Sequence, residues 1–166
     1  MNRMGEVVKV NAVRFFRILP GPVERVWSFL TESDKLTVWY GEDGTIEPRM
    51  GGLVRIMNGH IRGVVTQWEP PKKLIYTWNV FDPGEDVSRY PESFLKLELE
   101  AKGSEVALEL FHLPIMDRVT PQTKMGWHTY LDLMEASLGG ETVTSRESYM
   151  KANAKRYGVD LNNLAT

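Results

Sequence analysis

From Gly44 to Gly103 apolar side chains recur at every second position, whereas after Thr120-Pro121 they recur every third or fourth. No other feature restricts the chain as much, because the first period builds strands and the second builds a helix. Leu95, Leu97 and Leu99 set against Lys96, Glu98 and Glu100 are the clearest case, one face apolar and the other charged. A sheet that is apolar on one side has to be covered. Trp127, Leu131, Met134 and Leu138, with Tyr130 alongside, form the helical stripe that can cover it.

The remaining elements follow from the same two periods and their punctuation. Residues 7 to 18 read as a first strand interrupted by Lys9, Asn11, Arg14 and Arg17. Gly21-Pro22 ends it and opens a helix with proline at the first helical position, along which Val23, Val26, Trp27 and Leu30 make one stripe. A second short helix is expected from Ser33 or Asp34 to Tyr40, stopped by Gly41. Val54 and Ile56 alternate with Leu53, Arg55 and Met57, Asn58-Gly59 signals a hairpin, and Gly63 to Glu69 is the next strand. Leu74, Tyr76, Trp78 and Val80 mark another, Asp82 to Pro91 a longer loop, and Val106 to Leu113 the last strand. Thr120 is expected to cap the long helix with Pro121 at its first position, and Gly139-Gly140 to end it. Beyond it, Thr144-Ser145-Arg146-Glu147 fits a capping box for a short helix to Tyr157, with Gly158 as its stop. Strands joined by short turns pair as an antiparallel meander. The chain therefore reads as an α+β domain over residues 1–140 and a tail, 141–166, that packs on the domain or on a partner.

Length and composition narrow the function classes. A chain of 166 residues suits one domain, which buries about 70% of its unfolded surface and needs no covalent staple. The absence of cysteine excludes disulfides, thiolate metal sites and a thiol nucleophile. Twenty basic residues against 22 acidic ones, scattered rather than striped, argue against nucleic-acid binding. No apolar run approaches the roughly 20 residues of a membrane helix, and charges interrupt the N-terminus before a signal core forms, so a cytoplasmic location is expected. Five Trp, six Tyr, six Phe and eight Met supply large, adaptable apolar surface.

The sequence holds no GxGxxG and no P-loop spacing. Its three histidines, His60, His112 and His128, form no HxH or HxxxH pair, so no metal is expected. His60 reads as a turn residue, and His128 lies about 100° off the helical stripe, at the rim or surface. His112 continues the alternation of Val106, Leu108 and Leu110, which aims its imidazole inward unless a bulge before Pro114 reverses it. There it serves as a buried, hydrogen-bonded histidine, as a polar anchor for a ligand, or as a general acid or base. Glu42-Asp43 and Glu85-Asp86 are solvated turns, and Ser28, Ser93 and Ser137 lack a nucleophile elbow. No catalytic residue is assigned.

Several segments together resemble the START-like (SRPBCC) superfamily: Pro22-Val23-Glu24-Arg25-Val26-Trp27, the Leu36 to Tyr40 stretch with Trp39-Tyr40, Gly63-Val64-Val65, Pro71 to Trp78, Leu110-Phe111-His112 and Gly126-Trp127. Within it the chain is most similar to the proteins named for activators of the heat-shock-protein-90 ATPase, over about residues 8 to 139. The resemblance implies a helix-grip fold, a curved antiparallel sheet wrapped around a long C-terminal helix with a cavity between them. Relatives use that cavity for lipids, polyketides, hormones or other apolar molecules, and a few perform cyclisation or related chemistry there. The name-giving co-chaperone has a separate N-terminal chaperone-binding domain for which this chain has no room, so the resemblance does not imply chaperone binding here.

The expectation is a protein that binds a small apolar or aromatic ligand, with no cofactor. Trp39, Trp78, Leu97, Leu110, Trp127, Tyr130 and Leu131 wall the site, and His112 and Tyr76 are its polar anchors. Two alternatives stay open. One is a protein-interaction module, co-chaperone-like or homodimerising: Tyr149, Met150, Tyr157, Val159, Leu161 and Leu164 make the tail apolar enough to dock on its own domain, on a second copy or on another partner. A cavity enzyme such as a cyclase or hydrolase needs His112 within reach of a carboxylate or tyrosine.

Overall fold

The computed structural model describes residues 3–141 and 145–166. Strand β1 (Asn11–Pro20) is followed by helices α1 (Val23–Thr31) and α2 (Ser33–Tyr40). Strands β2 (Thr45–Ile46), β3 (Leu53–Ile56), β4 (Ile61–Glu69), β5 (Lys73–Val80), β6 (Ser93–Lys102) and β7 (Glu105–Ile115) come next. The long helix α3 (Thr120–Leu138) and the shorter α4 (Arg146–Tyr157) complete the chain. The seven strands form one antiparallel sheet in the order β1-β7-β6-β5-β4-β3-β2. This is the expected meander from β2 to β7, with β1 returning to the free edge of β7, and the whole is the helix-grip arrangement.

Register turns the alternation into rows across the inner face. Leu74, Leu97, Leu110 and Phe15 lie in one row, Tyr76, Leu95, His112 and Val13 in the next, and Trp78 with Ser93 in a third. The helical stripe Trp127, Leu131, Met134 and Leu138 is buried as expected, and α1 adds Val26, Trp27, Phe29 and Leu30 to the same core.

Three boundaries depart from expectation. The first strand begins at Asn11, because its partner β7 ends at Ile115 opposite Asn11 and leaves nothing for residues 7–10 to pair with. Val7, Val8 and Val10 are exposed. Pro22 is the N-cap of α1, with an extended backbone, rather than its first helical residue. Thr120 is the first residue of α3 and Val119 its N-cap; the Thr120 hydroxyl donates backwards to the Met116 carbonyl at 3.1 Å instead of capping.

The tail folds back along α3. Ser145 caps α4, its hydroxyl accepting from the Ser148 amide at 3.2 Å, while Thr144 of the expected capping box lies outside the described residues. Asn153 donates to Thr129 and to Asp132, both at 3.1 Å, and Asp132 also accepts from Arg17 at 2.9 Å. Arg146 donates to the Trp39 carbonyl at 3.0 Å, at the C-terminal end of α2, where a cation is favoured. Further on, Ala165 and the Gln122 side chain exchange two hydrogen bonds, at 2.7 and 2.9 Å. Tyr149 packs against the core, so part of the apolar surface of the tail is engaged within the chain. Among the described residues no helix is long and apolar enough to cross a membrane.

Candidate functional site

Beneath the C-terminal half of α3 the interior is closed to solvent. Trp39, Tyr76, Leu97, Leu110 and Leu131 are each no more than 1% exposed. Trp39 stacks on Tyr40 with ring centroids 3.8 Å apart, and its indole N–H donates to the Phe29 carbonyl at 2.7 Å. The Tyr40 and Tyr76 hydroxyls bond each other at 2.7 Å, and burial raises both phenols above the usual tyrosine range, so both stay protonated. These five residues, expected at a ligand, are instead satisfied by their neighbours and take no part in lining the open pocket described next. Removing one hydroxyl orphans the other. Tyr76→Phe is expected to destabilise by about 1–3 kcal/mol, and adding Tyr40→Phe to recover most of that loss. Urea unfolding of the four variants in a double-mutant cycle measures it, and additive losses would reject the pairing.

Open space appears beside the N-terminal half of α3, as a pocket of about 780 Å³. Of the residues named from the sequence, Trp78, His112, Trp127 and Tyr130 line it, together with Ser93 and Met57, which the sequence did not single out for it. The aromatic walls pack on one another: Trp78 lies 5.2 Å from Trp127 and 5.1 Å from His112, and Trp127 lies 5.6 Å from Tyr130. Arg89 and Arg118 stand among the lining residues with their charges engaged, Arg89 on Asp82 and Arg118 on the main-chain oxygen of Thr166.

Gly126 lies at the centre of the helical wall. Gln122, Thr123 and Tyr130, at i−4, i−3 and i+4 from it, line the same pocket. A Cβ built on Gly126 meets no heavy atom within 4 Å. A glycine inside a helix costs roughly 1 kcal/mol relative to alanine, and no neighbour requires one here. What the glycine leaves is room.

His112 points inward: the register of β7 against β1 does shift near Pro114, where Val13 pairs with His112 and Asn11 with Ile115, but the shift falls after His112 and leaves its side chain on the inner face. The indole N–H of Trp127 donates to its Nδ1 at 3.0 Å, and its Nε2 lies 2.7 Å from the Ser93 hydroxyl. Indole nitrogen only donates, so Nδ1 is the bare nitrogen and Nε2 carries the proton. Burial lowers the His112 pKa to about 4. This is the tautomer opposite to that of a serine-activating histidine, whose Nε2 must be free to take the hydroxyl proton. The pair is therefore a donor relay and not a nucleophile with its base.

The buried imidazole also couples stability to pH. Its folded pKa lies below the ordinary 6.5, so between about pH 6.5 and pH 4 the unfolded chain binds a proton that the folded chain refuses. Stability is lost as pH falls through that window and levels off below it. The contribution is about 3 kcal/mol in all, present in full above pH 6.5. In denaturant titrations between pH 4 and 7, His112→Asn should flatten the slope relative to wild type. Equal slopes would show that His112 does not carry the effect.

The other histidines sit elsewhere in the arrangement. His60 bonds the Phe81 carbonyl through Nδ1 at 2.9 Å and edges the pocket. His128 faces α4, 2.7 Å from the Tyr157 hydroxyl, and helps hold the tail. Among the described residues no group of three or more His, Cys, Asp or Glu side chains is placed to hold a metal ion.

Comparisons with known proteins place the arrangement. The family described as Activator of Hsp90 ATPase homolog 1-like protein matches residues 20–139. Curated proteins give no match. Among solved structures, CalU16 from Micromonospora echinospora is 22% identical over 89% of this chain and 86% of its own, with a TM-score of 0.70. An HSP90 activator from Plasmodium falciparum is 23% identical over 77% of this chain and 96% of its own, at 0.67. The Aha1 dimer from Colwellia psychrerythraea is 16% identical over 77% and 96%, at 0.59. At these identities the likeness is one of fold.

Proposed function

This chain belongs to the family of Activator of Hsp90 ATPase homolog 1-like proteins, and from that premise we propose that it binds a small apolar or aromatic ligand in the pocket beside the N-terminal half of α3. The observation that carries the reading is Gly126, which keeps the middle of an aromatic-walled helix face empty where the fold itself needs no gap. A volume of about 780 Å³ suits a small molecule. Polar side chains also edge it, but Trp127, His112 and Ser93 are bonded to one another and Asn11, His60, Arg89, Arg118, Gln122 and Thr123 are engaged within the chain, which disfavours a strongly polar guest.

Calorimetric titration with naphthalene-sized apolar probes tests the reading. Binding is expected at micromolar concentration, with a negative heat-capacity change as apolar surface leaves water. A failure of every such probe to bind, or binding unchanged when the pocket is filled by substitution, would remove the proposal.

A second reading, association with another protein, draws on two fold neighbours that are named as an HSP90 activator and as a dimer. Phe16, Ile18 and Phe94 on the outer side of the sheet are exposed and apolar. Light scattering across a concentration series distinguishes a self-associating chain from a monomer.

A further inference from the structure

The relay in the pocket has a direction, and the direction selects a ligand. Trp127 donates to His112 Nδ1, so His112 Nε2–H must donate to Ser93 Oγ, and Ser93 is left with its own proton to give away. All three groups are buried: Trp127 is 2%, His112 4% and Ser93 5% exposed. Among the described residues the Ser93 proton finds only the Trp78 carbonyl, at 3.4 Å, far beyond the 2.7–2.8 Å usual for a hydroxyl donor. Ser93 also lines the pocket. A hydroxyl that accepts a bond at 2.7 Å is polarised into a better donor, and here that donor is poorly engaged at the edge of empty space.

We propose that Ser93 is the hydrogen-bond donor of the ligand site, and that the ligand is an apolar or aromatic molecule carrying an uncharged acceptor oxygen of the carbonyl type. This rests on the pocket being a ligand site and adds which chemistry it recognises. An uncharged acceptor suits Ser93 because its own partners, the His112 imidazole and the Trp78 carbonyl, carry no charge, and of the cations that line the pocket Arg89 is paired with Asp82, Arg118 donates to the main-chain oxygen of Thr166 and Lys9 is exposed to solvent. A carboxylate placed against Ser93 would be buried without a counter-charge at hand. A donor in place of the acceptor would meet the Ser93 proton head-on. Trp127 and His112 act through Ser93 as positioning residues: they fix which way the hydroxyl proton points.

Two probes of nearly equal shape separate this inference from the broader reading. By calorimetry, 2-acetylnaphthalene should bind wild type roughly three- to tenfold tighter than 2-ethylnaphthalene, the worth of one net hydrogen bond. Ser93→Ala should erase that preference, so that the two probes bind the variant with equal affinity whatever change is common to both. The ketone stretch should shift to lower frequency on binding wild type and not on binding Ser93→Ala. Equal affinities for the two probes, or a preference that survives in Ser93→Ala, would overturn the role of Ser93 and leave the pocket standing. Failure of both probes would remove the pocket reading, and this inference with it. Should Ser93→Ala not fold, nitrogen-15 shifts of His112 in the wild-type protein still decide: a proton on Nε2 is expected, and a proton on Nδ1 would overturn the relay.

Discussion

Gly63→Ala is expected to cost more than about 4 kcal/mol, beyond the range of ordinary point substitutions and close to the whole stability of a typical domain. Gly63 lies inside β4, where a side chain would normally be welcome. Here the neighbouring strand comes too close. A Cβ on Gly63 would stand 1.8 Å from the Thr77 carbonyl oxygen and 2.6 Å from its carbon, both backbone atoms of β5 that cannot swing aside. The same approach brings the Thr77 hydroxyl within 2.8 Å of the Val64 amide, which donates to it. An alanine would have to part β4 from β5, and those strands carry Val65, Leu74 and Tyr76 into the core. Guanidinium unfolding, or the fraction of soluble protein where the variant does not accumulate, measures the loss. A variant within 1 kcal/mol of wild type would show that the strands separate more easily than the close approach implies.

The same strand marks where reading the sequence succeeds and where it stops. Alternation placed β3 to β7, the apolar stripes placed α1, α2 and α3, and the Ser145 cap with the Gly158 stop placed α4, because those signals are local. Alternation also put Trp78, Leu97, Leu110 and His112 on the inner face. A period of two cannot say which row of that face stays uncovered. The row of Leu74, Leu97 and Leu110 lies in the buried core, while Trp78 and Ser93 form the row at the open end. That difference is set by the register of the strands against α3, which is tertiary. Leu131 belongs to the same stripe as Trp127 but sits one helical turn farther along, in the closed half. Trp39 and Tyr76 were drawn toward a ligand because indole and phenol groups need partners when buried. The structure supplies those partners from the Phe29 carbonyl and from Tyr40. Ser93 is surrounded by no nucleophile motif; only the paired strands bring it to His112, 19 positions away in the chain.

Gly126 is the position where stability and binding should part company. Alanine there is expected to stabilise the fold by about 0.5–1 kcal/mol, because it removes the conformational freedom of a helical glycine and meets nothing nearby. Leucine should keep the fold within about 1 kcal/mol of wild type, as its Cβ meets no heavy atom within 4 Å and Gly126 borders the pocket. The same side chain projects between Gln122, Thr123 and Tyr130, the residues that wall the pocket beside it. Affinity for a naphthalene-sized probe should therefore fall more than about tenfold in Gly126→Leu, or more than 1.4 kcal/mol, while the unfolding midpoint stays or rises. Calorimetric titration and denaturant unfolding of the same samples give both quantities. A glycine kept only for backbone reasons would show the reverse, with stability lost in the alanine variant and binding spared in any variant that folds. Binding at wild-type strength in a stable Gly126→Leu protein would mean that the space above the helix is not where the ligand lies.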